Sequence, residues 1–561
     1  MQSPARLPVV LLWHMHQPPY RDALSGQYVL PWTYLHAIKD YTDMAAHLEE
    51  NPAARAVVNF SPVLLGQLDD LAQRVQRHLT EGTSLPDAVL ALLGPDPVPV
   101  DPQTRLDLLK ACLRAHRVNL VERFPAFQAL ADHAQQCASL ERIGWASDAL
   151  IHDLAIWFHL AWLGETVRRT DPRVAALSAQ SCGFTAAQRR TLLELIAELL
   201  AGIIPRYRRL QESGRCELSV TPYSHPILPL LFDFKAARDG VPDAVLPRHP
   251  QYPGGAERAQ WQVAEAIRCY EHYFGTRPRG CWPAEGAISE PTLRLLDAQG
   301  FKWTASGATV LHDSLGAGGQ NPDEAQRYNR PYRLSDGQLQ CFFREERLSD
   351  LIGFTYSSWR GDDAAANLVH ELVQLPRADN QDHVVLIALD GENAWEYYPF
   401  NGYWFLQALY AALANHPQLE LLTLSQCQER GLQPQTLQRP KAGSWVHGNL
   451  ATWMGDAAKN LAWDLLCDAK QVVDEVLAGG SVDDPWRAAI LRQLGLCESS
   501  DWFWWFGDYN PAEAVSQFDQ LYRRQLGCLY QLLGRPAPEG ISRPISIGSG
   551  DMENGGVMRR A

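Results

Sequence analysis

Seven short apolar segments, each ending in polar or aromatic residues, organise this 561-residue chain. Apolar runs of this length are typical of strands that are buried on both faces of a parallel sheet. Most of them are separated by segments with helical periodicity, as in α/β barrels, so the pattern predicts one shared active-site face at the strand ends. The predicted strands are residues 8–16, 56–65, 216–221, 279–282, 302–306, 339–344 and 383–389.

Helical periodicity dominates two long parts of the chain. Between about 66 and 214, apolar residues recur at spacings of three and four, which predicts a helical insertion between the second and third strands. Ser147 and Thr185 stand where helix caps are expected. The expected organisation is a barrel at 1–405, a helical domain at 406–540 that completes the cleft and holds one short strand at 419–424, and a tail at 541–561.

Composition and net charge limit the kinds of binding partner and the cellular location that we expect. A net charge of -14 argues against nucleic acid, which would select a basic surface. The 11 cysteines are scattered and include no CxxC pair, so neither a disulfide framework nor a zinc ribbon is predicted. No apolar run reaches membrane length, and the run near the N-terminus is too short for a signal peptide. We therefore expect a cytoplasmic protein with reduced thiols.

Carboxylates follow two of the predicted strands. The last strand ends at Asp390, and Glu392 and Glu396 come directly after it; a plain acidic turn before a helix is the alternative interpretation. Glu285 follows the fourth strand beside Trp282, where a carboxylate at a helix N-terminus is the alternative. Two carboxyl groups at different strand ends, with aromatic rings nearby, are what glycosidic bond cleavage requires.

The first strand ends in two histidines that share a face, His14 and His16. Such a pair can bind a metal, but a complete site needs further ligands, and His225 is the only comparable histidine at a strand end. Hydrogen bonding to a polar ligand and a purely structural role are the alternatives, and we predict no metal and no cofactor. The chain contains no GxSxG nucleophile motif and no phosphate-binding glycine loop.

Five sequence regions, in this order, resemble those of glycoside hydrolase family 57. They are WHMHQPPY, GRCELSVTPYSHPILPLL, GCWPAEGAIS, LDGENAWEYYPFNG and GSWVHGNLATWMGDAAKNLAW. The segment SDWFWWFGDYN is similar to the amylopullulanase and α-amylase branch, so the resemblance runs from residue 9 to beyond 530. It implies a retaining α-glucan enzyme on an incomplete (β/α)7 barrel, followed by a helical domain.

The resemblance also assigns roles to residues. It implies that Glu285 is the nucleophile and Asp390 the acid/base. The family's substrate-contact positions fall on His14, His16, Glu217, Trp282, Trp445, His447 and Trp453. From their places after strands we add Arg344, Asp350 and Glu392 as candidates to line the cleft, and Trp359, Trp395, Tyr397 and Tyr398 as candidates to stack on sugar rings.

These assignments predict an enzyme that cleaves α-1,4-glucosidic bonds, with α-1,6 bonds as a second target, by double displacement. A 4-α-glucanotransferase or a branching enzyme with the same site is the alternative. Two further classes stay open at this point: a metal-dependent hydrolase or deacetylase that uses His14 and His16, and a non-catalytic protein that binds glucan. The expected partner is an α-glucan or a maltooligosaccharide, with no nucleic acid and no membrane.

Overall fold

Seven parallel strands close into a barrel in this computed structural model, which describes residues 6–376, 382–480 and 483–550. The barrel runs β1-β2-β3-β4-β5-β7-β8, and β8 pairs with both β1 and β7. This confirms the predicted (β/α)7 barrel. The strands are β1 (Leu7–Met15), β2 (Ala56–Phe60), β3 (Cys216–Val220), β4 (Gly280–Cys281), β5 (Trp303–Gly307), β6 (Tyr332–Arg333), β7 (Gln340–Arg344), β8 (Val385–Asp390), β9 (Leu419–Leu421) and β10 (Gln435–Thr436).

Three short strands extend the barrel sheet outside the closed ring. β6 pairs antiparallel with β7, β10 pairs with β6, and β9 pairs parallel with β1. The strand predicted at 56–65 ends at Phe60, because Pro62 begins a helix and proline is favoured in the first helical turn. The register of strand pairing brings three polar residues together: His14 on β1 lies opposite Asp390 on β8 and opposite Asn59 on β2.

Helices fill the connections of the barrel. Between β2 and β3 they are Pro62–Glu81, Ala88–Ala91, Pro102–Ala111, Pro125–Cys137, Asp148–Ala161, Glu165–Thr170, Pro172–Ser178 and Ala186–Glu212. The expected caps are present, since Ser147 accepts from the Leu150 amide and Thr185 forms a capping box with Gln188. The other barrel helices are Trp32–His36, Thr42–Glu50, Leu228–Phe232, Gly255–Phe274, Glu290–Ala298, Ala308–Ala317, Glu346–Asp350, Gly361–Gln374, Tyr403–Asn415 and Leu424–Glu429.

Four helices follow the barrel: Ala457–Ala478, Asp484–Cys497, Ser500–Trp505 and Ala512–Leu532. The aromatic run 502–505 packs among them, with Phe503 stacked on Trp463 and Trp505 stacked on Phe518. Helix Tyr403–Asn415 crosses the expected domain limit at 405, so we propose that the barrel unit extends through β10. Of the tail expected at 541–561, residues 551–561 lie outside the described part of the chain. No described helix is long and apolar enough to cross a membrane.

Candidate active site

Asp390 ends β8 at the carboxyl rim of the barrel, directly beside His14 on β1. The chain turns there because the amide of Gly391 donates to the carbonyl of His14 at 2.7 Å. The end of the Met15 side chain packs directly against Gly391, so a side chain at 391 would have to displace it. Packing between the two strands therefore fixes the position of the carboxylate.

The environment of Asp390 favours its protonated form. Burial raises the pKa of the Asp390 carboxyl, while the amide of Asn393, which donates to it at 2.8 Å, and the charges of His16 and Arg344 oppose the rise. Burial and the charge of Asp390 hold the pKa of Glu392 well above its usual range. Glu392 accepts from the His16 amide at 3.1 Å and from Gln17 at 3.2 Å, so it is a buried group that braces the turn.

Glu285 reaches the same rim from the loop after β4. Its backbone is left-handed, with φ 56°, a strained conformation for a residue with a side chain. The indole Nε1 of Trp445 donates to its carboxylate at 2.8 Å, and the Trp445 amide donates to its carbonyl at 3.0 Å. Ile288 and Gly443 form an antiparallel bridge between the two loops. The loop near residue 445 therefore holds Glu285 in place, and its N–H donor stabilises an ionised carboxylate.

Arg344 ends β7 at the same rim. Its guanidinium stands 5.2 Å from the ring of Trp445 and donates to Asp350 at 2.7 Å. Its positive charge also acts on Asp390, whose pKa it lowers against the effect of burial. Arg344 and Trp445 thus connect the part of the rim that carries Asp390 with the part that carries Glu285.

A chain of hydrogen bonds runs inward from the rim through His14. Thr221 donates to Asn59 Oδ1 at 2.7 Å, and His14 Nδ1 lies 2.7 Å from the same oxygen, so that nitrogen carries a proton. His14 Nε2 then accepts from His225 Nε2 at 3.0 Å, and His225 Nδ1 accepts from Ser500 at 2.8 Å. Burial lowers the pKa of His14 to about 3 and that of His225 well below its usual range, so both rings are neutral.

His16 faces a residue that the sequence interpretation missed. Its Nε2 lies 3.0 Å from Asp501, and its Nδ1 lies 2.7 Å from the hydroxyl of Ser61. Asp501 and its neighbour Ser500 belong to the short helix Ser500–Trp505, so the C-terminal helices supply two polar groups to the barrel rim. The Ser-Ser-Asp sequence just before the aromatic run was the available signal, although nothing local connects it to β1.

His16, His225 and Asp501 form a cluster whose ligand atoms lie within 4.8 Å of one another. The two imidazole rings stack face to face, 3.8 Å apart and 9° from parallel. Imidazole lone pairs lie in the ring plane, so stacked rings direct them side by side and cannot converge on one tetrahedral ion. All four ring nitrogens also have hydrogen-bond partners. This geometry does not support the metal-dependent alternative.

Three residues expected in the cleft lie elsewhere. Glu217 stands near the amino end of β3, where it accepts from Trp303 at 2.6 Å and from Ser425 at 2.6 Å. Trp395 is buried and packs edge-on against Trp13. Trp453 is fully buried, with Trp504 beside it. These expectations are corrected: Glu217 joins a strand to a helix at the opposite end of the barrel, and the two tryptophans belong to the core.

Two of the remaining predicted residues, Trp282 and His447, lie close to Trp445. Trp282 is fully buried and meets Trp445 in an edge-to-face contact at 4.9 Å, so it supports the indole that holds Glu285. His447 follows on the same loop with a left-handed backbone and an exposed side chain. Of the candidates for sugar stacking, Tyr398 is buried, whereas Trp359 and Tyr397 are exposed.

Solved structures with the same fold as this chain include three that cover nearly its whole length. The chain is similar to a family 57 branching enzyme from Thermococcus kodakaraensis, with TM-score 0.57, 14% identity, and coverage of 94% of this chain and 90% of that chain. A family 57 branching enzyme from Pyrococcus horikoshii gives TM-score 0.57 and 14% identity over 98% and 99% of the two chains. An α-amylase from Thermotoga maritima gives 0.54 and 14% over 96% of each.

At such identities these structures establish the fold, and the family assignment depends on the sequence match. No curated protein matches this chain. The family model described as glycosyl hydrolase family 57 matches residues 10–438, a range that begins within β1 and includes Glu285, Arg344 and Asp390. With most of its length and nearly the whole barrel covered by that match, the chain belongs to glycosyl hydrolase family 57, whose members act on glucans.

Proposed function

We propose that this protein hydrolyses α-1,4-glucosidic bonds of α-glucans, with α-1,6 bonds as a second target, by double displacement. The observation that carries the proposal is the pairing of two unlike carboxyl groups at one barrel rim. The Asp390 carboxyl has a raised pKa through burial, and the Glu285 carboxylate accepts an N–H from Trp445. Retaining glycosidases need one carboxyl group as acid and another as nucleophile.

The two steps use these groups in turn. Glu285 attacks the anomeric carbon while Asp390 gives its proton to the departing glycosidic oxygen, which leaves as an alcohol. A glycosyl ester on Glu285 then remains, and Asp390 is ionised. Asp390 next removes a proton from water, the water oxygen attacks the anomeric carbon, and Glu285 leaves as a carboxylate. The anomeric configuration is retained because each step inverts it once.

The groups around the pair have supporting roles in this proposal. Arg344 keeps a positive charge near Asp390 during the second step, when that carboxylate forms. His14 is neutral and fixed by its partners, so it presents a rigid wall beside the acid. The exposed His447 is the polar side chain that we assign to sugar hydroxyls, whereas His16 is held by Ser61 and Asp501 and supports the rim.

A transferase with the same two carboxylates is the second candidate, because two of the similar structures are described as branching enzymes. In a 4-α-glucanotransferase or a branching enzyme, a sugar hydroxyl replaces water in the second step. The chemistry at Glu285 and Asp390 is then unchanged. The difference lies in which acceptor occupies the site beside the glycosyl ester.

Product analysis separates these candidates. Wild type and Glu285→Gln are incubated with maltoheptaose, amylose and pullulan, and the products are resolved by anion-exchange chromatography. We expect shorter sugars and new reducing ends from the wild type, and no turnover from the variant. Products longer than maltoheptaose, or new α-1,6 branches in amylose, would assign a transferase. Full turnover by Glu285→Gln would reject the proposed nucleophile.

A further inference from the structure

The loop after β8 contains a second strained segment besides the one at Glu285. Phe400, Asn401 and Gly402 all have left-handed backbones, with φ of 57°, 55° and 70°. Six non-glycine residues in the described chain have positive φ, and three of them, His225, Glu285 and His447, belong to the rim described above. Such strain persists where the surroundings enforce it, and it is concentrated at functional sites.

Buried polar contacts hold this segment in its strained form. The side-chain amide of Asn401 donates to Asp43 at 2.8 Å and accepts from Lys39 at 3.0 Å. Both Asp43 and Lys39 are buried. The Trp395 ring packs against Gly402, so that a side chain at 402 would collide with it. The protein therefore fixes the position of Phe400 and of the helix that begins at Tyr403.

Aromatic rings and guanidinium groups stack on one another at the surface of this segment and of the helix that follows it. Arg123 lies 4.4 Å from the ring of Phe400, and Arg169 lies 4.8 Å from Trp404. Glu165 binds both arginines, at 2.8 and 2.9 Å, and thereby fixes the two pairs relative to each other. Phe400 is 38% exposed and Trp404 is 48% exposed. We call Phe400, Trp404, Arg123 and Arg169 the aromatic platform.

The platform continues from the loop that starts at Asp390. Tyr397, between them in sequence, is 43% exposed and meets His116 edge-on at 5.3 Å. Asn119 joins this loop to the helical insertion by donating to the Glu396 carbonyl at 2.9 Å. A chain bound along Tyr397 and Phe400 would thus follow the same loop that carries the proposed acid.

We propose that the aromatic platform is a second binding site for α-glucan, outside the catalytic rim. Flat rings held rigidly by guanidinium groups stack on the apolar faces of pyranose rings, and the arginine N–H groups can donate to sugar hydroxyls. Glu165 lies between the two guanidinium groups of the platform and offsets part of their charge. The exposed apolar area of the platform comes from aromatic rings, whereas surfaces that pack against a helix consist mostly of aliphatic side chains. The choice of glucan as occupant rests on the proposed function.

Native gel electrophoresis with glycogen in the gel tests the platform directly. The protein carries Glu285→Gln, so binding is measured without turnover. We expect the added pair Phe400→Ala and Trp404→Ala to weaken the apparent Kd for glycogen at least tenfold. The control is Trp145→Ala, which removes the most exposed tryptophan, 71% exposed, from the helical insertion. It should leave the retardation by glycogen unchanged.

Kinetic measurements on protein that keeps the wild-type Glu285 then separate this site from the catalytic one. The platform pair should raise KM for glycogen at least fivefold and leave kcat/KM for maltoheptaose within twofold, because a short sugar does not span both sites. If no glucan is turned over, the proposed function fails while the gel assay still reports on the platform. Unchanged retardation by glycogen would reject the platform even in an active enzyme.

Two further measurements keep the result decisive. Should the double alanine variant unfold, Phe400→Tyr with Trp404→Tyr keeps the rings and should keep glycogen binding, whereas Trp404→Leu keeps bulk and should weaken it. Light scattering at several protein concentrations tests whether a second copy of the chain covers the platform. A dimer that dissociates on Trp404→Leu would overturn the glucan assignment.

Discussion

Glu285 and Asp390 are both carboxylic residues at strand ends, yet the fold treats them differently. Asp390 ends a six-residue strand and is packed beside His14, so burial raises its pKa. Glu285 follows a two-residue strand, lies half-buried on a left-handed turn and accepts an indole N–H. Burial in one environment raises the pKa of the carboxyl group, whereas the other environment supplies an N–H donor to the carboxylate.

The contrast shows how a barrel assigns opposite roles to similar groups. A long strand carries its last residue into register with the neighbouring strand, so Asp390 is packed against His14. A short strand leaves the chain free to form a loop, and the carboxylate on that loop receives a donor from another segment. Enzymes that need an acid and a nucleophile at one pH depend on such a difference. Four predictions test it, in order of decreasing effect.

The largest effect is expected at Glu285. Glu285→Gln removes the nucleophile and should lower kcat by about 10^4-fold or more. With Glu285→Gly, added azide should restore turnover of an activated α-maltoside and give a β-glycosyl azide, because azide enters from the face that the carboxylate occupied. Thermal unfolding near that of the wild type is the control. An α-glycosyl azide from this variant would contradict the assignment.

Asp390 should show the complementary behaviour. Asp390→Asn should lower kcat/KM for maltoheptaose by about 10^2- to 10^4-fold, the usual contribution of general acid–base catalysis. The loss should be much smaller for α-maltosyl fluoride, whose leaving group needs no proton, and azide should now yield an α-glycosyl azide. An equal loss on both substrates would show that Asp390 does not act as the acid.

Trp445→Phe removes the N–H that Glu285 accepts. A hydrogen bond to a charged group contributes about 1.5–3 kcal/mol, so kcat/KM should fall about 10- to 100-fold. The matched control is Trp303→Phe, which removes an indole N–H from Glu217 at the other end of the barrel. That variant should lower Tm and leave kcat/KM near the wild-type value. Equal kinetic losses in the two variants would contradict the specific role of Trp445.

The smallest effect is a shift in the pH profile. Asp390 must be protonated for the first step, so kcat/KM should fall as the pH rises through its raised pKa. Asn393 donates to Asp390 and lowers that pKa, so Asn393→Ala should move the basic limb of the profile to higher pH. The profile of Asn393→Ala is compared with that of wild type at constant ionic strength. A shift to lower pH would contradict the direction derived from the structure.

The local pattern of apolar residues was sufficient to predict the strands of the barrel. All seven barrel strands lie where apolar runs predict them, because strands buried on both faces leave a continuous signal. The two carboxylates were found because they follow such strands directly. Glu217 was assigned to the cleft by the family resemblance, and a resemblance in sequence does not show whether a side chain lies at the amino or the carboxyl end of its strand; pairing begins at Cys216, which leaves Glu217 near the amino end.

The sequence by itself determined the barrel, the family resemblance and the choice of Glu285 and Asp390. Only the tertiary structure decided their surroundings. Asp501, 485 residues from His16, meets it at the rim, and the loop around Trp445 reaches Glu285 from 160 residues away. Contacts over such separations leave no periodic signal in the chain, since they depend on how the helices pack against the barrel. The sequence therefore identifies the two carboxylates, whereas the difference between their surroundings arises only when the chain folds.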